Sequence, residues 1–327
     1  MTEKRVLSGM RPTGPLHLGH LAGALRNWLK LQDQYHCFYT IVTWHALSSE
    51  YQNSTVIKDY TFEVAADWLS IGLDPKKSVI FLQSEVKEHA ELHLLLSMII
   101  PLPWLQRVPT FKEMQRELPD KDLNTYGFLG YPVLQTADII IYKAGIVPVG
   151  EDQAYHLELA REITRRFNRF FGNIFPEPQT LLTDVPRLAG TDGRKMSKSY
   201  GNAIYLKDSP EILRKKISTM KTDTRRKLRS DPGVPEDCPV FTLHKAFVDS
   251  EKRKELAQGC RTAGIGCLEC KNVLIESLVR ILTPFWQKRK NFEKNPQLIW
   301  NILDEGSKKA RRTAQKTMEE VRSAIGL

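Results

Sequence analysis

The sequence predicts an α/β protein in which a doubly wound parallel sheet is followed by a C-terminal helical domain. Three observations predict it. In the first two thirds, short β-branched or aromatic runs alternate with longer runs of helical periodicity, the pattern of strands joined by crossover helices. The first such strand ends in a glycine-containing turn that leads into a helix, the usual entry to a phosphate-binding crevice in an open parallel sheet. Beyond residue 204 the periodicity is helical only, and the charge changes with it. Residues 1–204 hold 22 basic and 22 acidic side chains, residues 205–327 hold 26 and 16, so the whole net charge of +10 lies in the C-terminal third.

In chain order, strands are expected at 5–8, 37–44, 78–83 and 146–149, with helices at 18–32, 55–71 and 153–170 carrying apolar residues on one face. Residues 101–131 mix proline, glycine and polar residues and read as an insertion, a place where partner contacts are often carried. In the second part, Ser209-Pro210-Glu211 is a helix start, with a cap residue before proline at the first helical position. Further helices are expected at 271–286 and, as one or two, at 296–325. The expected domains are therefore 1–204 and 205–327, with the last helix free to pack back on the first domain.

Composition excludes several classes. With 41% hydrophobic and 26% charged residues, 327 residues suffice for one large or two medium globular domains, so disorder and fibrous folds are not expected. The most apolar stretch, 93–105, is interrupted by Pro101 and Pro103 and is shorter than the roughly 20 residues a membrane span needs. The start lacks the apolar core and cleavage site of a secretory signal, so a cytoplasmic location is expected. The basic C-terminal part suits a polyanion, although a solvated basic surface has the same composition.

Two segments carry chemistry. Residues 8–21, SGMRPTGPLHLGHL, place His17 and His20 around Gly19 at a helix entry, where imidazole N–H groups can donate to charge building on a phosphate. Residues 193–199, GRKMSKS, form a cationic loop whose Lys195 and Lys198, beside serines, can gather a pyrophosphate and follow it as it leaves. Each alone has an ordinary structural explanation, a capped helix start or a surface loop. Together, in this order and about 175 residues apart, they resemble the signature pair of the class I aminoacyl-tRNA synthetases. The segments 131–139, YPVLQTADI, and 147–159, VPVGEDQAYHLEL, narrow the resemblance to the tryptophanyl-tRNA synthetase family, over nearly the whole chain.

The resemblance implies a Rossmann-like catalytic domain, a helical domain that binds the tRNA anticodon, and a homodimer with its contact in the 101–131 insertion. It implies a two-step reaction: tryptophan and Mg-ATP give tryptophanyl-adenylate and pyrophosphate, and the amino acid then passes to the 3′ end of tRNA(Trp). Neither membrane nor DNA is an expected partner. By position, ATP falls to Arg11, Pro12, Thr13, Gly19 and His20, to Gly150, Glu151 and Asp152, to Lys195, Met196, Ser197 and Lys198, and to Lys112 from the insertion. His17, His20, Lys195 and Lys198 take the catalytic roles. The amino-acid pocket falls to His45, Tyr131, Gln135 and Gln153, with Leu7, Gly9 and Val149 beneath, and Asp138 as acceptor of the indole N–H. An indole offers one donor and no acceptor, so a buried carboxylate selects it strongly over phenylalanine. Arg11 and His20 depart from the Gln and Asn of many relatives, yet both still donate hydrogen bonds.

Five cysteines are present. Cys37 lies alone in a strand pattern and reads as a core thiol, whereas Cys238, Cys260, Cys267 and Cys270 share one domain with the spacing C-x21-C-x6-C-x2-C. In a cytoplasmic protein such a set suits a metal better than disulfides, and both zinc and iron–sulfur accept four cysteines. A similar pattern in a bacterial subset of the family implies a 4Fe-4S cluster that braces the anticodon-reading loops, with Zn2+ the alternative. Basic runs at 214–216, 225–229, 288–290 and 308–312 could follow a phosphate backbone, with Phe285, Trp286 or Phe292 offered for base stacking and Trp300 read as core. Rival readings are the sister tyrosine enzyme, a small-molecule nucleotidyltransferase, which leaves the basic four-cysteine domain unexplained, and a non-catalytic RNA-binding paralogue.

Overall fold

The computed structural model describes residues 4–108, 122–150, 154–182 and 187–327. Five parallel strands, β1 (Arg5–Met10), β2 (His36–Ile41), β3 (Ser78–Leu82), β4 (Ile146–Val149) and β5 (Gln179–Leu182), lie in the order β3-β2-β1-β4-β5. The chain steps outward from β1 to β3, then returns to the other side of β1. That reversal puts the switch point between β1 and β4, where the separating crossovers leave a crevice at the carboxyl ends.

Crossing helices cover the sheet. α1 (Leu18–His20) runs through a π-helical turn (Leu21–Leu25) into α2 (Arg26–Leu31); α3 (Thr43–Glu50) and α4 (Val56–Ile71) follow β2. α5 (Glu88–Ser97), α6 (Leu102–Gln106), α7 (Tyr126–Leu129) and α8 (Tyr131–Ile140) lead from β3 to β4, and α9 (Ala154–Phe171) from β4 to β5. The C-terminal part contains α10 (Pro210–Thr219), α11 (Pro239–Phe247), α12 (Ser250–Arg261), α13 (Cys267–Lys294) and α14 (Pro296–Ile325). Ser209 caps α10 as expected, its hydroxyl accepting from the Ile212 N–H.

Four expectations change. The strand expected to reach Trp44 stops at Ile41, because Thr43 opens α3 and carries His45 onto a helix at the sheet's carboxyl edge. β5 went unpredicted: it is a four-residue edge strand, partly exposed along its length, with no alternating signal. The helix expected at 271–286 begins at Cys267 and runs through Pro284 to Lys294, and 296–325 is a single helix.

The fourth change concerns the core. α14 packs on β3: Gly306 sits so close to the sheet that an added Cβ would lie 1.8 Å from the Ile80 carbonyl oxygen. The Ser307 hydroxyl accepts from the Leu82 N–H on this edge strand. One apolar core joins Val6, Leu16, Trp28 and Trp68 of the sheet layer to Leu274, Leu278, Phe285 and Ile299 of the C-terminal helices. The other face of the sheet packs Leu7, Phe38 and Val133 with Ala310, Ala314 and Met318 of α14. The two parts do not bury separate cores. Among the described residues, no helix is long and apolar enough to cross a membrane.

Candidate active site

The turn after β1 is built around its two histidines. His17 caps α1: its Nδ1 accepts from the Gly19 N–H at 3.1 Å, and the His17 N–H donates to His20 Nδ1 at 3.1 Å. A backbone N–H can only donate, so both Nδ1 atoms are acceptors and each neutral ring carries its proton on Nε2. Burial, aided by nearby Lys198, depresses His17 to about 4, and burial with His17 beside it pushes His20 well below the usual histidine range. Two neutral imidazoles, 3.9 Å apart between centroids, are thus fixed as Nε2–H donors. The helix cap and the catalytic reading are the same geometry. At Gly19 a Cβ would lie 2.8 Å from His17 Cε1, so the missing side chain leaves room for the capping imidazole.

The lysine loop docks on this turn. Gly14, at φ 116°, adopts a backbone suited to glycine, and its carbonyl accepts from Lys198 Nζ at 2.8 Å. Burial lowers Lys198 to about 8, with Arg11 adding to the fall and Asp67 opposing it. Lys195 is exposed, Met196 is buried, and Ser197 and Ser199 bond hydroxyl to hydroxyl at 2.9 Å. Sequence reasoning missed the organiser of this loop, Asn202. Its amide donates to Asp192 and the Lys195 carbonyl while its oxygen accepts from the Ser197 N–H, and Gly190 leaves room for it.

Arg11 and Pro12 close the turn, Pro12 buried and the Thr13 N–H returning to the Arg11 carbonyl at 3.0 Å. Arg11 Nη2 donates to the Ser49 hydroxyl on α3, burial lowers its pKa, and its buried Nε has no partner among the described residues. A buried guanidinium with a donor to spare suits an anion. Gly150 follows β4 directly, on the other side of the switch point. Lys112, Glu151, Asp152 and Gln153 lie outside the described residues.

Asp138, 2% exposed on α8, is surrounded by donors. His45 Nε2 lies 3.0 Å from Oδ2, His89 Nδ1 2.5 Å from Oδ1, and Gln83 Nε2 2.7 and 2.9 Å from the two oxygens. The Gln83 oxygen accepts from the Trp44 N–H, which turns its amide toward the acid, and the Tyr142 hydroxyl lies 2.6 Å from the far nitrogen of His89. Burial disfavours the charge, but His89 and the bonds from His45 and His89 prevail and hold Asp138 below the usual carboxylate range. Gln83 and His89 were not anticipated, for neither belongs to a motif. The one available signal was position, since Gln83 directly follows a strand's carboxyl end.

A cavity of about 770 Å³ opens beside this acid, lined by Trp44, His45, Tyr51, His93, Tyr131 and Leu134 among others. His45 and Tyr131 meet there, and the Tyr131 hydroxyl lies 3.0 Å from His156 Nε2. Asp138 stands behind His45, and Leu7, Gly9, Gln135 and Val149 are not among the lining residues. Leu7 is buried in β1, and a Cβ on Gly9 would meet Thr40 of β2 and Val42 just beyond it at 2.9 and 3.0 Å.

In the C-terminal part, Cys238, Cys260, Cys267 and Cys270 line one small pocket. Burial, then the three other thiols, pushes Cys270 up to about 12, and burial raises Cys260. His244 Nε2 lies 3.2 Å from Cys270 Sγ, and Arg226 points at Cys260 Sγ. Among the described residues, no three His, Cys, Asp or Glu side chains cluster closely enough to hold one metal ion. Several basic residues expected to face RNA are committed elsewhere. Arg289 is 3% exposed and pairs with Asp67 and Glu63, Lys216 pairs with Asp208, and Arg225 with Asp223 and Asp237. Phe285 is fully buried and Trp286 donates to the Leu206 carbonyl, so Phe285 offers no stacking face.

The family described as class I tRNA synthetases (W and Y) matches residues 2–283. The Tryptophan--tRNA ligase of Thermotoga maritima is 55% identical over 325 residues, covering 99% of each chain, and that of Aquifex aeolicus is 44% identical over 99% of this chain. The crystal structure of a tryptophanyl-tRNA synthetase from Campylobacter jejuni, complexed with ADP and tryptophan, superposes with a TM-score of 0.89 at 37% identity, covering 99% of this chain and all of that one. With the switch-point crevice, the paired histidines and the docked lysine loop, these likenesses show that the chain belongs to the class I tRNA synthetases for tryptophan and tyrosine, and within them to the tryptophan–tRNA ligases.

Proposed function

We propose that the enzyme's two steps, activation of tryptophan by ATP and transfer to tRNA(Trp), take place with the indole at Asp138 and the ATP phosphates between the β1 turn and the lysine loop. The observation that carries this is the buried, ionised Asp138, an acceptor-only group next to a cavity of suitable size. Its four acceptor positions are occupied by Gln83, His89 and His45, and among these only His45 also lines the cavity. The indole N–H takes the position that His45 holds. The carboxylate of tryptophan then attacks the α-phosphorus of Mg-ATP in line. His17 and His20 donate from Nε2 as charge develops, and Lys195 and Lys198 hold the departing pyrophosphate. Arg11, Pro12, Thr13, Gly150, Glu151, Asp152, Lys112, Met196 and Ser197 complete the nucleotide site, and Gln135 and Gln153 the amino-acid site. Tryptophanyl-adenylate stays bound until the terminal ribose hydroxyl of tRNA attacks its carbonyl, which needs positioning but no protein nucleophile.

Amino-acid-dependent ATP–pyrophosphate exchange with tryptophan, tyrosine and phenylalanine tests this reading. Exchange with tryptophan alone is expected, and Asp138→Asn should lower kcat/KM for tryptophan by roughly a hundredfold, the worth of a hydrogen bond to a charged group. Exchange with tyrosine, or an Asn variant as selective as its parent, would refute it.

The four thiols suit a 4Fe-4S cluster better than zinc. A single zinc draws its ligands to one point, at about 2.3 Å each, whereas a cluster spaces them around a cage; here the thiols face a common cavity without converging. Cys238, Cys260, Cys267 and Cys270 would hold such a cluster, which would tie the loops around Cys238 and Cys260 to α13. Iron and sulfide analysis of anaerobically purified protein should give about four of each per chain, and zinc in their place would favour the alternative. For the homodimer, exposed Leu94 on α5, Met98 just after it and Leu102 on α6, within the insertion, support a contact at the 101–131 segment. A cytoplasmic location completes this reading.

A further inference from the structure

Leu16 immediately precedes the capping His17, and both of its backbone groups are held from outside the turn. Its N–H donates to Asp67 Oδ2 at 3.1 Å, and its carbonyl accepts from the Leu206 N–H at 2.8 Å. Each holder leads to the same helix. Asp67, with no exposure, receives Arg289 Nη1 at its other oxygen, and the Leu206 carbonyl receives Trp286 Nε1 at 2.9 Å. Arg289 and Trp286 are three residues apart on α13, on neighbouring positions of one face. Arg289 is itself fixed from two further sides, by Glu63 at 2.7 Å and Glu293 at 2.9 Å.

A buried ion pair is a poor way to gain stability, since apolar side chains of similar volume usually serve as well. Burial works against both charges here and raises the Asp67 carboxyl to about 7, while each group is the other's largest opposing influence. What the pair gives that an apolar contact could not is direction: a carboxylate aimed at one backbone N–H, oriented by a fork-shaped cation. The Leu206 arm continues the grip, because Leu18 N–H donates to Ile204 and His17 pairs with Tyr205 across the same segment.

We propose that α13 clamps Leu16 through two arms, Arg289–Asp67 and Trp286–Leu206, and that Asp67 and Arg289 are thereby positioning residues for His17 and His20. This rests on the reading of those histidines as phosphate donors. Neither arm touches substrate. Movement of α13 is transmitted to both sides of one residue, so an event in the C-terminal part reaches the donors that face ATP.

The test uses the full chain with both charges removed together, Asp67→Leu with Arg289→Met, so that no unpaired charge stays buried. Expected is a melting temperature near the parental one, a kcat for tryptophan-dependent exchange lower by roughly tenfold, and an unchanged KM for tryptophan. Amide hydrogen exchange over residues 14–21 should speed up by about the same factor, as for loss of one buried hydrogen bond. A purely structural pair would leave kcat and that protection at parental values once folding is preserved, and this result would overturn the proposal. Trp286→Phe, which removes the N–H donor with the pyrrole half of the ring, should loosen the same amides and carries the test if the double variant does not fold. If the parent exchanges with no amino acid, the proposed function fails, and the amide measurement still decides whether the clamp exists.

Discussion

Lys198 shows how burial sets a working range for one residue. Its ammonium is fixed on the Gly14 carbonyl, and burial, with Arg11 nearby, brings its pKa down to about 8. The charged form is therefore present below pH 8 and is lost above it. Pyrophosphate exchange should show an alkaline limb near pH 8 in kcat/KM for ATP, and Lys198→Arg, whose guanidinium stays charged, should remove that limb while lowering the rate. A profile flat to pH 9.5 would refute the assignment. His17 contributes no limb on the acid side until about pH 4, because it already works as a neutral donor. The sequence singled out His17, His20, Lys198 and Asp138 because each lies in a motif, and His45 through the family resemblance. It did not single out Gln83, His89 or Asn202, whose roles come from neighbours that are distant in sequence or from the fold of a loop.

At the scale of elements, what matters is how closely helices approach the sheet. β3 is an edge strand, and α14 covers it, with the Ser307 hydroxyl taking a strand N–H that no neighbouring strand receives. That approach depends on Gly306, whose missing side chain leaves room for the Ile80 carbonyl. Gly306→Ala should force the helix away from the strand and cost about 1–3 kcal/mol, in the range of overpacked cores. Urea unfolding would measure it, and an unchanged midpoint would show that the contact can relax. Sequence periodicity found the helix itself, but it placed the end of β2 three residues late and overlooked β5. The two errors have separate causes: a run of β-branched and aromatic residues does not distinguish a strand from the helix start beside it, and a short exposed strand has no pattern of its own.

For the whole molecule, continuity of the core ties catalysis to the C-terminal helices. His17 in the first part and His244 in the second are both depressed to about 4 by burial, against an ordinary 6.5. Between those values the unfolded chain binds protons that the folded chain does not, so stability falls as the pH drops from about 6.5 toward 4. Urea midpoints should decrease from pH 7.5 to pH 5 for the whole chain in a single transition, since a shared core unfolds as one unit. Two separate transitions would mean that the parts are held together more weakly than the packing shows.

The sequence by itself determined the α/β class, the order of its main strands and helices, the two motif segments around His17 and Lys198 and the set of four cysteines. These are local properties, carried by periodicity, spacing and side-chain chemistry within a few turns of chain. Only the tertiary structure decided that Asp138 stands behind His45, that Arg289 is a buried partner of Asp67 rather than a contact for RNA, and that one core spans both parts. A basic or acidic side chain reads the same in sequence whether it faces water or a buried opposite charge. Its fate depends on what the fold brings against it from hundreds of residues away.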